Sequence, residues 1–113
     1  MAAYLTGHIR VRDAEKWHQY LTRVDATIIQ YGGEILLRGL QQKVLSNQCS
    51  FNANFERLVV LRFETMDALN RWYDSNEYEC LKALRVEAAD VTVVTYLSDS
   101  HYIQSFEHQE ITT

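Results

Sequence analysis

Proline is absent from the 113 residues, cysteine occurs twice and glycine four times. Without proline there is no Pro-rich linker to divide the chain, and no prolyl isomerisation to slow its folding. The two cysteines, Cys49 and Cys80, are too far apart for a CxxC redox pair and match no zinc-ligand spacing. No apolar run approaches the roughly 20 residues that cross a bilayer. Met1 to Val11 lacks the basic start, apolar stretch and small-residue cleavage site of a signal peptide. Basic residues are also short: 11 Lys and Arg against 15 Asp and Glu give a net charge of −4, which disfavours nucleic acid and anionic lipid as partners. A cytoplasmic protein with reduced thiols is expected, with neither a nucleic-acid nor a membrane partner.

What is present suits one globular domain. Hydrophobic residues make up 47% and charged residues 23%, ordinary values for a folded chain. A chain this long buries about two-thirds of its unfolded surface, enough for one core. Tyr4 to Val11 alternates apolar and polar residues, as a half-buried strand does. Asp13 stands at a helix N-cap position, and from Ala14 the residues Trp17, Tyr20, Leu21, Val24, Ile28 and Tyr31 recur at helical spacing. Gly32-Gly33 ends that helix. A strand over Glu34 to Gly39 follows, then an irregular Gln/Asn/Ser-rich stretch from Leu40 to Phe55. Arg57 to Glu64 is the strongest strand signal, rich in Val, Leu and Phe. Thr65 caps a second helix, Ser75 is a second cap that restarts it, and Asp90 to Leu97 is the last strand. Residues 1–97 therefore read as one domain and 98–113 as a polar tail.

The order β-α-β-β-α-β is that of the ferredoxin-like plait, an α+β fold. It predicts a four-stranded antiparallel sheet with two helices on one face. Strand alternation sends Leu5, Ile9, Val11, Ile35, Leu37, Val59, Leu61, Phe63, Val91, Val93 and Leu97 toward the helices. The other face carries Thr6, His8, Arg10, Glu34, Leu36, Arg38, Leu58, Val60, Arg62, Thr92, Val94 and Tyr96. That is more apolar area than a monomer leaves in water. A homodimer with two sheets face to face around a partly polar cavity is expected.

Several segments taken together carry a resemblance: the Tyr4 strand with Asp13 at its end, Tyr31-Gly32-Gly33, Arg38-Gly39, Arg57 to Phe63, and Trp72-Tyr73-Asp74-Ser75-Asn76-Glu77-Tyr78 with Leu81 and Arg85. The chain resembles the domain-of-unknown-function 1330 family, of the dimeric α+β barrel superfamily, over roughly residues 3 to 97. The resemblance implies a ferredoxin-like fold and dimerisation but no established activity. Two departures stand out. Asn76 replaces the proline usual after the motif's serine, and Arg62 stands where relatives carry a carboxylate, so no role of that acid transfers to this position.

Arg38 and Arg62 on the open face would suit a carboxylate or phosphate through bidentate hydrogen bonds; alternatively each pairs with an acid such as Glu34. His8 is the candidate general acid or base, because histidine titrates near neutrality; the alternative is a satisfied interface residue. Tyr96 completes the expected lining. Tyr78 and Arg85, seven apart on one helix side, either reach a pocket edge or serve as core and cap. Trp17, Trp72 and Tyr73 read as core anchors, Cys80 as a partly buried thiol and Cys49 as an exposed one. His18 reads as solvated, while His101 and His108 lie in the tail, where spacing alone argues little for a metal. No nucleophile triad, phosphate loop or dinucleotide fingerprint is present, and no cofactor is expected. The expected function is a cofactor-independent enzyme acting on a small organic acid or aromatic compound. The alternatives are a non-catalytic binding protein and a purely structural dimer.

Overall fold

The computed structural model describes residues 1–49 and 55–98. Seven elements follow in order: β1 (Ala3–Val11), α1 (Ala14–Gln30), β2 (Glu34–Leu40), β3 (Arg57–Phe63), α2 (Met66–Tyr73), α3 (Asn76–Ala88) and β4 (Ala89–Leu97). The expected tail lies, from residue 99 on, outside the described residues. No helix among the described residues is long and apolar enough to cross a membrane.

Local chemistry sets each helix boundary. The Asp13 carboxylate accepts from the Lys16 amide at 3.1 Å, and Thr65 and Ser75 accept from the amides of Ala68 and Tyr78 at 3.1 and 3.2 Å. These side chains satisfy first-turn donors that the helix itself leaves unpaired. Ser75 also donates to the Trp72 carbonyl at 2.6 Å, so it closes α2 while opening α3. The second helical region is thus two helices, and three helices cover the sheet. At the end of α1, Gly32 has φ +82 and donates to the Ile29 carbonyl, while Gly33 donates to Ile28. This paired reverse hydrogen bonding requires the left-handed conformation that glycine adopts without a Cβ clash.

The strands form one antiparallel sheet in the order β2-β3-β1-β4, the ferredoxin-like arrangement predicted above. On its helix face, Leu5, Ile9, Leu61 and Phe63 meet Trp17, Tyr20, Val24 and Ile28 of α1, with Leu69, Trp72, Tyr78 and Leu81 from α2 and α3. The core is rich in aromatic rings: Trp72 lies 4.3 Å from Tyr78 and 5.7 Å from Phe63, centroid to centroid. Trp17 and Trp72 are core residues as expected, whereas Tyr73 is half-buried. Cys80 corrects one expectation: it is exposed on α3, as Cys49 is in its loop.

One irregularity rearranges the faces. Ile35 pairs with Leu61 but Leu37 pairs with Val60, so Leu36 is an extra residue, a β-bulge. A single inserted residue inverts the alternation beyond it. Leu37 therefore faces the open side with Val60, and Arg38 faces the helices with Val59, the reverse of the simple alternation.

Candidate functional site

The sheet divides the predicted site residues into two groups. Tyr4, Arg62 and Tyr96 share one rung of the open face, and His8 lies two rungs away opposite Leu58 and Thr92. Arg62 is paired there, with Glu34 at 3.2 Å and Glu64 at 3.7 Å. The Tyr4 hydroxyl and these two carboxylates hold its guanidinium firmly charged. The His8 ring stands 6.1 Å from that of Phe55. Arg38 does not join this group. The bulge at Leu36 carries it to the helix side, where it makes a two-pronged ion pair with Asp25 of α1. The expected convergence of His8, Arg38 and Arg62 in one lumen is therefore corrected: β2 turns Arg38 through the sheet.

The helix side holds a cavity of about 140 Å³ between α1, α3 and the sheet. Its walls are apolar, with Leu5, Val24, Leu61, Trp72 and Val93 among them. Gly7 keeps its floor low, since a Cβ there would come within 2.8 Å of Val59 Cγ1. Arg38, with 40% of its side chain exposed, and Leu40, 66% exposed, mark the rim beside the edge strand β2. An engineered apolar cavity of about 150 Å³ accepts benzene, so the space matches a body the size of one aromatic ring.

Polar groups converge on this apolar space from α1, α2, α3 and β3. Arg85 Nη1 donates to the Tyr78 hydroxyl at 2.9 Å and to the Tyr73 hydroxyl at 3.4 Å. The Tyr78 hydroxyl meets that of Tyr20 at 2.8 Å. Burial pulls the Arg85 pKa down, but the oxygens of Tyr78 and Tyr73 more than offset it and push it above the ordinary value. Arg85 is therefore a fixed cation, half-buried, with no carboxylate partner among the described residues. Burial, reinforced by Tyr78, raises the Tyr20 pKa far above that of a free phenol, so Tyr20 keeps its proton.

Counting protons shows what this cluster can do. Only one phenolic hydrogen fits between the two oxygens of Tyr20 and Tyr78. The other has no acceptor among the described residues, and Arg85 has further N–H donors. The cluster is thus a set of donors and positive charge at the edge of an apolar space, the usual form of a small-molecule site. Tyr78 and Arg85, named from the sequence, belong to it. Tyr20, Tyr73 and Arg57 line the same cavity and are not among the site candidates that the sequence singles out. Arg57 carried a signal, since it shares strand parity with Val59 and Leu61 and so had to face the helices. Among the described residues, no group of His, Cys, Asp and Glu could hold a metal ion; His101 and His108 lie outside those residues.

The sequence matches the family model "Domain of unknown function (DUF1330)" over residues 2–96. No curated protein matches it. Among solved structures, a protein of unknown function from Rhodopseudomonas palustris is 14% identical, with a TM-score of 0.72 over 87% of this chain and 84% of that one. SnoaB, a cofactor-independent oxygenase from Streptomyces nogalater, is 10% identical, with a TM-score of 0.61 over 88% of this chain and 94% of its own. A dimeric ferredoxin-like protein of unknown function from Jannaschia sp. CCS1 is 10% identical, with a TM-score of 0.64 over 87% of this chain and all of that one. Identities this low establish the fold alone.

Proposed function

Because the chain belongs to the DUF1330 family, whose description names no activity, its function must be read from its cavity, and we propose that this cavity binds a small organic acid with an apolar body. One observation carries the reading: Arg85 is a half-buried cation whose nearest polar partners are phenols rather than a carboxylate. A half-buried guanidinium bonded only to neutral phenols has no opposite charge beside it, and an incoming carboxylate would supply one through charge-assisted hydrogen bonds. The spare phenolic proton of Tyr20 and Tyr78 adds a second donor, and the apolar walls take the body of the ligand.

On the same reading the protein is a homodimer joined through its open sheet face. Leu37 and Tyr96 are exposed there at 47% and 51%, beside Leu58, Val60 and Val94, a patch of the kind that marks an interface. The Jannaschia neighbour is described as dimeric. His8, Arg62 and Tyr96 then belong to the contact between sheets. The two thiols, neither in a disulfide, suit a reducing cytoplasm.

Turnover of the bound acid without a cofactor is a second reading, favoured by the Tyr20–Tyr78–Arg85 hydrogen-bond chain, a proton donor beside a fixed cation. The likeness to SnoaB adds to it. The binding reading is tested by titrating the full chain with benzoate and with benzamide, followed by thermal unfolding. Benzoate raises the midpoint and benzamide does not, and Arg85→Gln removes the benzoate effect. Equal responses to the two probes, or an undiminished response in Arg85→Gln, would contradict it.

A further inference from the structure

The cavity holds a second cation that the Arg85 reading does not use. Arg57 opens β3 on the helix face, opposite Ile9 and Leu40, and its side chain lines the same cavity. Its Nε is buried without a hydrogen-bond partner among the described residues, a rare state for a charged donor in a folded protein. The adjacent Glu56 makes no ion pair with it among the described residues; its Oε1 accepts from the Val11 amide at 3.1 Å. No Asp or Glu is among the described residues that line the cavity. Arg38 at the rim is already neutralised by Asp25. Among the described residues, the charge left uncompensated inside is therefore that of Arg57 and Arg85 together, two positive units in a chain whose net charge is −4.

We propose that the ligand is a dianion, with one anionic head at the Tyr78–Arg85 cluster, a second at Arg57, and its apolar body between them. The inference rests on the binding reading above and narrows it from small organic acids to diacids. A guanidinium with an unmet Nε–H offers a carboxylate the side-on, two-point contact in which Nε and one Nη both donate. A monoacid would leave one of the two cations unpaired in a space partly closed to water, which is the costly state.

The test is calorimetric titration of the full chain at low salt with matched pairs, isophthalate against benzoate and the slimmer glutarate against butyrate. The expected result is binding of each diacid about tenfold or more tighter than its monoacid, the worth of one charged hydrogen-bonded contact. Arg57→Gln should weaken the diacids far more than benzoate and so bring that ratio close to one, and Arg57→Lys should keep part of it. Arg85→Gln should weaken both members of each pair. If benzoate binds through Arg85 but neither diacid binds more tightly, the second head is wrong and the binding reading stands. An unchanged ratio in Arg57→Gln overturns the proposal equally. If no acid binds, both readings fall. Should Arg57→Gln not fold by circular dichroism, the diacid-to-monoacid ratio in the unaltered chain and in Arg57→Lys decides.

Discussion

Replacing Tyr78 by phenylalanine removes a single oxygen and leaves the ring where it packs, 4.3 Å from Trp72 and 5.4 Å from Tyr73. No cavity term arises, so the cost is that of the orphaned partners. The Tyr20 hydroxyl, in a residue 7% exposed, loses its hydrogen bond at 2.8 Å, a penalty of about 1–2 kcal/mol. Arg85 loses the shorter of its two contacts to phenols, about 1 kcal/mol more. The expected destabilisation is about 2–3 kcal/mol, a fall in Tm on the order of 10 °C at this chain length. Arg85→Met removes the same contact from the other side with a different result. Tyr78 keeps Tyr20, and a half-buried charge without a counter-ion disappears, so the net change stays within about 1 kcal/mol. The double variant should show a coupling of about 1 kcal/mol, because the two residues share one hydrogen bond. Urea unfolding at constant m-value reads all three. The reasoning fails if Arg85→Met costs more than Tyr78→Phe, or if the two effects simply add.

Three further outcomes follow from the same structure. A Cβ on Gly33 would stand 2.6 Å from Phe63 Cζ and 2.7 Å from Ile28 Cγ2, both side chains fully buried. Gly33→Ala should therefore cost about 1–3 kcal/mol through overpacking; unaltered chemical denaturation would show that the core yields there. Burial, with Tyr78 beside it, raises the Tyr20 pKa above its ordinary 10.0, so the folded chain holds a proton that the unfolded chain releases. That stability is complete below pH 10 and is lost as the pH rises beyond it. Tyr20→Phe should accordingly lose less stability than the unaltered chain between pH 9 and pH 11, and parallel pH curves would refute the assignment. Val60→Lys, at the middle of the open face beside Thr6 and Leu37, should shift sedimentation from dimer to monomer without altering benzoate binding.

The parts of this architecture that depend on local chemistry were legible in the amino-acid order. Asp13, Thr65 and Ser75 cap helices because their oxygens lie within reach of first-turn amides. Gly32 is needed where α1 reverses. Parity alone placed Arg62 on the open face with Glu34, because β3 and β1 run without a bulge. Arg38 was not legible for a specific reason. The bulge falls within Ile35-Leu36-Leu37, three apolar residues in a row, and such a run carries no alternation to betray the inserted residue. Arg38, the one candidate beyond it in β2, then changes side. The cavity escaped sequence reading because the apolar stripe of α1 treats Tyr20 as a ring to be buried and is silent about its hydroxyl. Only the packing of α1 against α3 brings that oxygen to Tyr78 and Arg85.

A ligand of the proposed kind sits between the helices and the sheet of one protomer, and intermolecular nuclear Overhauser effects from bound benzoate test that placement most directly. The expected effects run from the ring protons of benzoate to the side chains of Val24, Leu61 and Trp72, on the helix side of the sheet. Effects to His8, Val60 and Tyr96 in their place would put the ligand on the open face between two sheets, and would contradict it.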